Sequence, residues 1–158
     1  MPCPKCLQKS GFHSFSRCGE IRNSNSTVNL FYSCLAKSSD TNSDGTMLEN
    51  MIIHMTEDTE HKPWIWVLNC ENMGLKEYTN LYFSVGLLKH LSKDTNLQDI
   101  WFINSNLWIK TTFKFLETMT TRLFVRRYKV IDGSILEKLD SLKKLGVDTK
   151  TSYSLIAQ

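Results

Sequence analysis

The sequence contains none of the short motifs that mark common nucleotide-binding and hydrolytic enzymes. No G-x-G-x-x-G follows a predicted strand and no G-x-x-x-x-G-K-[ST] occurs, so the dinucleotide fingerprint and the phosphate-binding loop are both missing. H-E-x-x-H and G-x-S-x-G are missing as well. We therefore predict that the protein is not an enzyme.

Long apolar runs and a strong charge bias are also missing. No stretch of about 18 apolar residues could span a bilayer, and residues 1–5 lack the apolar run of a secretory signal. The net charge of +3 is too small to indicate nucleic-acid binding, so we predict no nucleic-acid partner. With 158 residues, 41% of them hydrophobic and 22% charged, the composition indicates one ordinary globular domain.

The cysteines indicate a reducing compartment. There are five of them, an odd number, and no signal peptide accompanies them. A disulfide framework usually has an even number of cysteines in a secreted chain. We therefore predict a cytoplasmic protein with mostly free thiols.

Two cysteines near the start of the chain have the spacing of a zinc knuckle. Cys3-Pro4-Lys5-Cys6 is a C-x-x-C motif, which lets two thiolates hold one ion from a tight turn. A structural zinc site needs four ligands. The predicted set is Cys3, Cys6, Cys18 and Cys34, with His13 as an alternative to Cys34. The other interpretation is a Cys-bearing segment that binds no metal.

The chain changes character twice along its length. Residues 1–26 have little apolar periodicity and form a predicted Cys-bearing N-terminal segment. Residues 27–148 alternate between short apolar runs and helical patterns, which indicates an α/β domain. Residues 149–158 have no clear period, and we predict a C-terminal tail there.

Within the α/β domain, short apolar runs alternate with amphipathic segments. Because strands separated by helices imply crossover connections, we predict a mainly parallel sheet of about four to five strands covered by helices. The first strand is expected to be antiparallel, since its connection is rich in loop residues. The predicted strands are 28–32, 64–68, 100–103 and 128–131, and the predicted helices are 48–55, 76–91, 107–122 and 135–142.

Polar residues follow the predicted strands. Asn69–Asn72, Asn104–Asn106 and Asp132 stand where parallel sheets often bind ligands, but these residue types more often satisfy turns and cap helices. Cys70 beside Glu71 is the nearest approach to a reactive pair, and a buried structural thiol explains it better. The four histidines are scattered without a neighbouring nucleophile: His13, His54, His61 and His90.

One segment has a local charge excess. Residues 107–130 carry six cations and one acid, a local charge of +5 (six minus one), among many apolar residues. This combination is typical of a helix attracted to an anionic membrane surface. A core helix with a basic solvent face is the alternative. The predicted membrane-surface residues are Arg122, Arg126, Arg127 and Lys129.

The order of elements from residue 64 to residue 148 resembles the CRAL-TRIO lipid-binding domain. The match consists of the apolar strand 64–68 with its turn through Gly74, and of the strand 100–103 with the Asn-containing turn before Trp108. The basic strand 127–131 and the Gly133-Ser134 turn complete it. The resemblance implies that residues 111–123 form a lid helix.

Some features depart from the family pattern. Residues 1–26 are too few for the helical bundle that often precedes the domain, so we do not expect one here. The closing Leu-Pro and Tyr-Gly-Gly pattern is replaced by Leu145–Asp148, and Asn69 stands where the family usually has Asp. STAS domains share the order of strand, turn, helix and strand, and they are a second, weaker resemblance. A STAS-like chain would be a regulatory module.

The resemblance to CRAL-TRIO implies a lipid or small apolar ligand held between the sheet and residues 111–123. The lid would contribute Phe113, Leu116 and Met119, and the strands would contribute Trp66 and Phe102. Ordinary core packing explains the same five residues in a protein-interaction module with a filled core. A protein partner is therefore the alternative to a ligand.

Overall fold

The computed structural model describes residues 4–8, 13–37, 45–74, 81–107, 109–111, 114 and 128–157. They form a five-stranded sheet in the order β1-β2-β3-β4-β5, in which β1 and β2 are antiparallel and all later pairs are parallel. The predicted α/β class with a mainly parallel sheet is confirmed. The strands are β1 (Phe15–Asn23), β2 (Ser26–Cys34), β3 (Trp64–Asn69), β4 (Leu97–Ile103) and β5 (Tyr128–Ile131).

Helices cover both faces of this sheet. The described helices are α1 (Pro4–Gln8), α2 (Gly45–Thr59), α3 (Leu81–Lys93), α4 (Ile135–Lys144) and α5 (Thr149–Ala157). We call the face beneath α2 and α3 the front face and the face beneath α4 and α5 the back face. None of the described helices is long and apolar enough to cross a bilayer.

Strand β3 shows why the apolar runs form the centre of the sheet. All six of its residues are buried, and successive side chains of a strand point to opposite faces. Trp64, Trp66 and Leu68 belong to the front-face core, and Ile65 and Val67 belong to the back-face core. A strand with helices on both faces therefore reads as an unbroken apolar run.

The front-face core is completed by Met51 and Met55 of α2 and by Leu87, Leu88 and Leu91 of α3. These residues recur at helical spacing, as their sequence pattern predicted for α2 and for the later part of α3. The back-face core takes in residues from both C-terminal helices and from the turn between them, namely Leu142, Val147 and Leu155.

The hairpin at the sheet edge differs from the sequence prediction. The N-terminal segment of 1–26 contains β1, which pairs with β2 through a two-residue turn at Ser24 and Asn25. The strand expected to be antiparallel is β2, and it runs parallel to β3. That expectation is wrong. The antiparallel strand is β1, an edge strand that buries few apolar residues and so has no clear pattern.

The end of the chain also differs from the predicted tail. Residues Thr149–Ala157 form α5, with Leu155 fully buried in the back-face core. A Schellman motif joins α4 to α5, since the Val147 N–H donates to Leu142 O and the Gly146 N–H donates to Lys143 O. Gly146 has a positive φ of 88°, a conformation that favours glycine.

Candidate functional site

The front face brings together the two strand residues predicted to line a ligand. Trp66 of β3 and Phe102 of β4 belong to the same buried cluster, at 4% and 5% exposure. The structure therefore places both on one face, as a shared lining requires. The predicted lid residues Phe113, Leu116 and Met119 lie outside the described residues.

Further front-face residues extend this apolar surface toward β5. The ring centres of Phe102 and Tyr128 are 6.1 Å apart and the ring planes are inclined by 69°, an edge-to-face contact. Ile109, at the start of the connection to β5, packs into the same cluster. Neither Tyr128 nor Ile109 was predicted from the sequence as a lining residue. Tyr128 could have been predicted, because it is an aromatic residue at the start of β5, the strand that pairs with the strand of Phe102.

The indole N–H of Trp66 is a polar group within this apolar cluster, and it has a hydrogen-bond partner. The Trp66 Nε1–H donates to Ser33 Oγ at 2.9 Å, and both residues are buried. This bond satisfies the indole nitrogen and orients the ring on the face. The rest of the Trp66 ring is left for apolar contact.

The carboxyl ends of the parallel strands carry a connected polar network. Asn69 Nδ2 donates to the Tyr32 hydroxyl at 2.9 Å, and Asn69 Oδ1 accepts from Asn104 Nδ2 at 3.1 Å and from the Glu71 N–H at 2.9 Å. Lys138 donates to Asn104 Oδ1. Because each amide bonds to other parts of the protein, the network ties the strand ends together.

Asp132 anchors the next part of the same edge. Its carboxylate accepts from the Ser105 N–H at 2.8 Å and from Ser105 Oγ, and Lys110 Nζ lies 3.3 Å from Oδ2. Partial burial raises the pKa of Asp132, but the bonds from Ser105 and the Lys110 charge outweigh it and hold this pKa below its ordinary value of 3.8.

This depressed pKa gives a pH prediction. A carboxyl group whose pKa is lower in the folded state stabilises the fold above its unfolded-state pKa and loses that contribution as pH falls through the folded-state value. The native protein should therefore lose stability more steeply than Asp132→Asn below about pH 4. Urea unfolding midpoints measured from pH 6 to about pH 2.5 check this. Parallel curves for the two proteins would contradict it.

The candidate nucleophile Cys70 is buried at the same edge, with no exposed surface. Burial raises the pKa of its thiol to about 12, and the nearby Asp132 charge adds to the rise. The reactive form of cysteine is the thiolate. Cys70 therefore stays protonated at neutral pH, as expected of a structural thiol.

Of the four predicted membrane-surface cations, the structure describes Lys129. Lys129 pairs with Asp99, whose Oδ2 also accepts from Trp101 Nε1 at 3.0 Å. Since Trp101 is a back-face residue and pairs with Lys129 across the strands, Lys129 lies on the face opposite Trp66 and Phe102. Arg122, Arg126 and Arg127 lie outside the described residues.

The predicted zinc ligands do not come together. Cys18 packs against the back-face core and Cys34 is buried within it, whereas Cys6 contacts His54 of α2 on the front side of the sheet. The sheet separates the first two from the third, so Cys6 cannot share one ion with Cys18 and Cys34. Cys3 lies outside the described residues. Among the residues that are described, no three His, Cys, Asp or Glu side chains are grouped closely enough to hold a metal ion.

Together, the mainly parallel sheet and the aromatic core of its front face define an α/β domain with an apolar interior beneath α2 and α3. The model of the divergent CRAL/TRIO domain family matches residues 25–154. The chain belongs to this family. It matches no curated protein at a significant level. CRAL/TRIO domains bind lipophilic small molecules and are generally not enzymes.

Proposed function

We propose that this chain binds a lipid or another small apolar ligand on the front face, against Trp66 and Phe102 and beneath residues 111–123. Phe113, Leu116 and Met119 would contribute apolar contacts from that segment. In this role the protein carries out no catalysis, and its thiols favour a location in the reducing cytoplasm. The observation that carries it is the position of Trp66 and Phe102 on one face of a CRAL/TRIO sheet.

The start of the connection from β4 to β5 supports this choice of face. The back face is packed by α4 and α5, which follow β5 in the chain. The connection from β4 to β5 begins on the front face, where Ile109 joins the cluster of Phe102. A ligand beneath residues 111–123 would therefore contact Phe102 rather than the residues of the back face.

The charge of the same connection supports a membrane as the place where the ligand is exchanged. Arg122, Arg126 and Arg127 leave a local positive charge near the proposed lid. Each cation near an anionic surface contributes about 1 kcal/mol to binding. We omit Lys129 from this surface because it pairs with Asp99 on the back-face side.

Tryptophan quenching by a spin-labelled lipid tests the proposed face. Two matched variants each remove one buried indole: Trp66→Phe on the front face and Trp101→Phe on the back face. Phosphatidylcholine with a spin label on its acyl chain should quench a larger fraction of the emission in Trp101→Phe than in Trp66→Phe. The reason is that a contact quencher on the front face reaches Trp66, which only Trp101→Phe retains, whereas Trp64 and Trp108 are present in both variants. The unlabelled lipid is the control.

Two results would contradict the proposal. Equal fractional quenching in the two variants would show that the lipid has no preference for the front face. No quenching in the native protein would favour the alternative, a protein-interaction module with a filled core. In that case, the function of the chain would be to bind a protein partner.

A further inference from the structure

Cys6 and His54 form a close pair that the ligand-binding proposal does not use. The Cys6 Sγ of α1 lies 3.0 Å from the His54 Nδ1 of α2, although the two residues are 48 positions apart in the sequence. At this distance an imidazole nitrogen can take the proton of a thiol. The contact also joins the N-terminal helix to the helix that covers the front face.

The other nitrogen of His54 is held in place by oxygen atoms. Nε2 lies 3.1 Å from Phe15 O and 2.9 Å from Asp58 Oδ2. These oxygens accept hydrogen bonds, so Nε2 carries the proton of the neutral ring and Nδ1 presents its lone pair to the thiol. Once Nδ1 has taken the thiol proton, the Asp58 carboxylate stabilises the positive ring. Cys6, His54 and Asp58 therefore supply a nucleophile, a base and a group that orients the base.

The ring of His54 is fixed in this orientation by its neighbours. It packs edge to face against the rings of Phe15 and His13, whose centres are 5.4 Å and 5.6 Å away. The His54 side chain is only 13% exposed, whereas Cys6 is partly exposed. The base is therefore held beside a sulfur that a small molecule can approach from solvent.

Cys18 provides a contrast within the same chain. It is also partly exposed, but its Sγ donates to Leu30 O at 3.3 Å, and a backbone carbonyl is no base. Burial raises the pKa of the Cys18 thiol to about 12. Cys34 and Cys70 are buried. Among the four cysteines that the structure describes, Cys6 is the one with a base at its sulfur.

We propose that Cys6 is a modification site that forms a mixed disulfide with a low-molecular-weight disulfide of the glutathione type. A thiol becomes reactive toward disulfides when it gives up its proton, and partial exposure favours a small reagent. The mixed disulfide no longer carries the S–H that contacts His54. Modification therefore removes this contact between α1 and α2.

The exchange needs no other reactant. The Cys6 sulfur attacks one sulfur of the small disulfide, and the new S–S bond forms as the old one breaks. The proton of Cys6 passes to His54 Nδ1 and then to the departing sulfur, which leaves as a thiol. The Cys6 sulfur is oxidised and the departing sulfur is reduced, so the electrons balance.

Incubation of the native full-length chain with glutathione disulfide, followed by peptide mass spectrometry, tests the site. Trypsin cleaves after Lys5 and puts Cys3 and Cys6 in different peptides, so their adducts are measured separately. The adduct should form at Cys6 at least about 10-fold faster than at Cys18. Both rates come from one folded protein, so this comparison requires no variant.

His54→Gln tests the role of the base. The change removes the imidazole, so the adduct at Cys6 should form about 100-fold more slowly, at the lower end of what a positioned base contributes. His61→Gln is the matched control and should keep the native rate, because His61 is exposed. Circular dichroism shows whether each variant is folded.

Two results would overturn this proposal. The first is a rate at Cys6 in the native chain that is no higher than the rate at Cys18. The second is an unchanged rate at Cys6 in folded His54→Gln. Neither result bears on lipid binding, because Cys6, His54 and Asp58 are not part of the proposed ligand surface.

Discussion

The Trp101→Ala variant should unfold with a free energy about 3–5 kcal/mol below that of the native protein. Trp101 is 2% exposed and lies in β4, in the middle of the back-face core. Removing its ring leaves a large cavity between the sheet and the C-terminal helices. The change also removes the Nε1–H that donates to Asp99 at 3.0 Å.

Urea unfolding followed by circular dichroism measures this loss. Trp101→Phe is the matched control, because it keeps most of the apolar volume and loses the hydrogen bond, which contributes about 0.5–1.5 kcal/mol. A loss below about 1 kcal/mol in Trp101→Ala would show that the back face is loosely packed.

Leu155→Ala should destabilise the protein by about 2–5 kcal/mol. Leu155 has no exposed surface and packs in the back-face core with Leu142 and Val147. Helix α5 also approaches the edge strand closely, since a Cβ added at Gly19 would lie 2.7 Å from Thr151 Cγ2. The end of the chain therefore contributes to the core.

Tyr153→Ala provides the control on the same helix. Tyr153 is 55% exposed, so its removal should change the free energy of unfolding by less than about 0.5 kcal/mol. Thermal or urea unfolding of both variants distinguishes a packed helix from a tail. Equal, small effects of Leu155→Ala and Tyr153→Ala would support the tail predicted from the sequence.

The central strands could be predicted from the sequence because each is buried on both faces. The apolar runs predicted strands at 64–68 and 100–103, and the structure places β3 at Trp64–Asn69 and β4 at Leu97–Ile103. Helix α4 was equally clear. Its apolar residues recur at helical spacing, and Ser134 and Glu137 form a capping box.

The edge strand and the last helix were missed for opposite reasons. Strand β1 has a neighbour on one side only and exposes much of its length, so Phe15 and Ile21 are too few to give a period. Helix α5 is short and buries Ser152 as well as Leu155, so a polar residue occupies a core position. Neither pattern follows the simple rule that apolar residues lie inside.

The candidate site could be predicted in part. The family resemblance pointed to Trp66 and Phe102 as a shared lining, and the structure places both on one face. The register that pairs Leu68 with Phe102 could not be predicted from two uniformly apolar runs. The pairing of Cys6 with His54 could not be predicted, because a contact between residues 48 positions apart depends on how α1 and α2 pack. Charge counting likewise could not show that Lys129 has Asp99 as a partner.

Native mass spectrometry of the full chain, before and after exposure to vesicles of mixed phosphatidylcholine and phosphatidylinositol, tests the central claim most directly. We expect a species heavier than the chain alone by the mass of one lipid, and we expect solvent extraction of the same sample to release that lipid. The mass of the chain alone, both as purified and after exposure to the vesicles, would contradict a lipid-binding role for the face formed by Trp66 and Phe102.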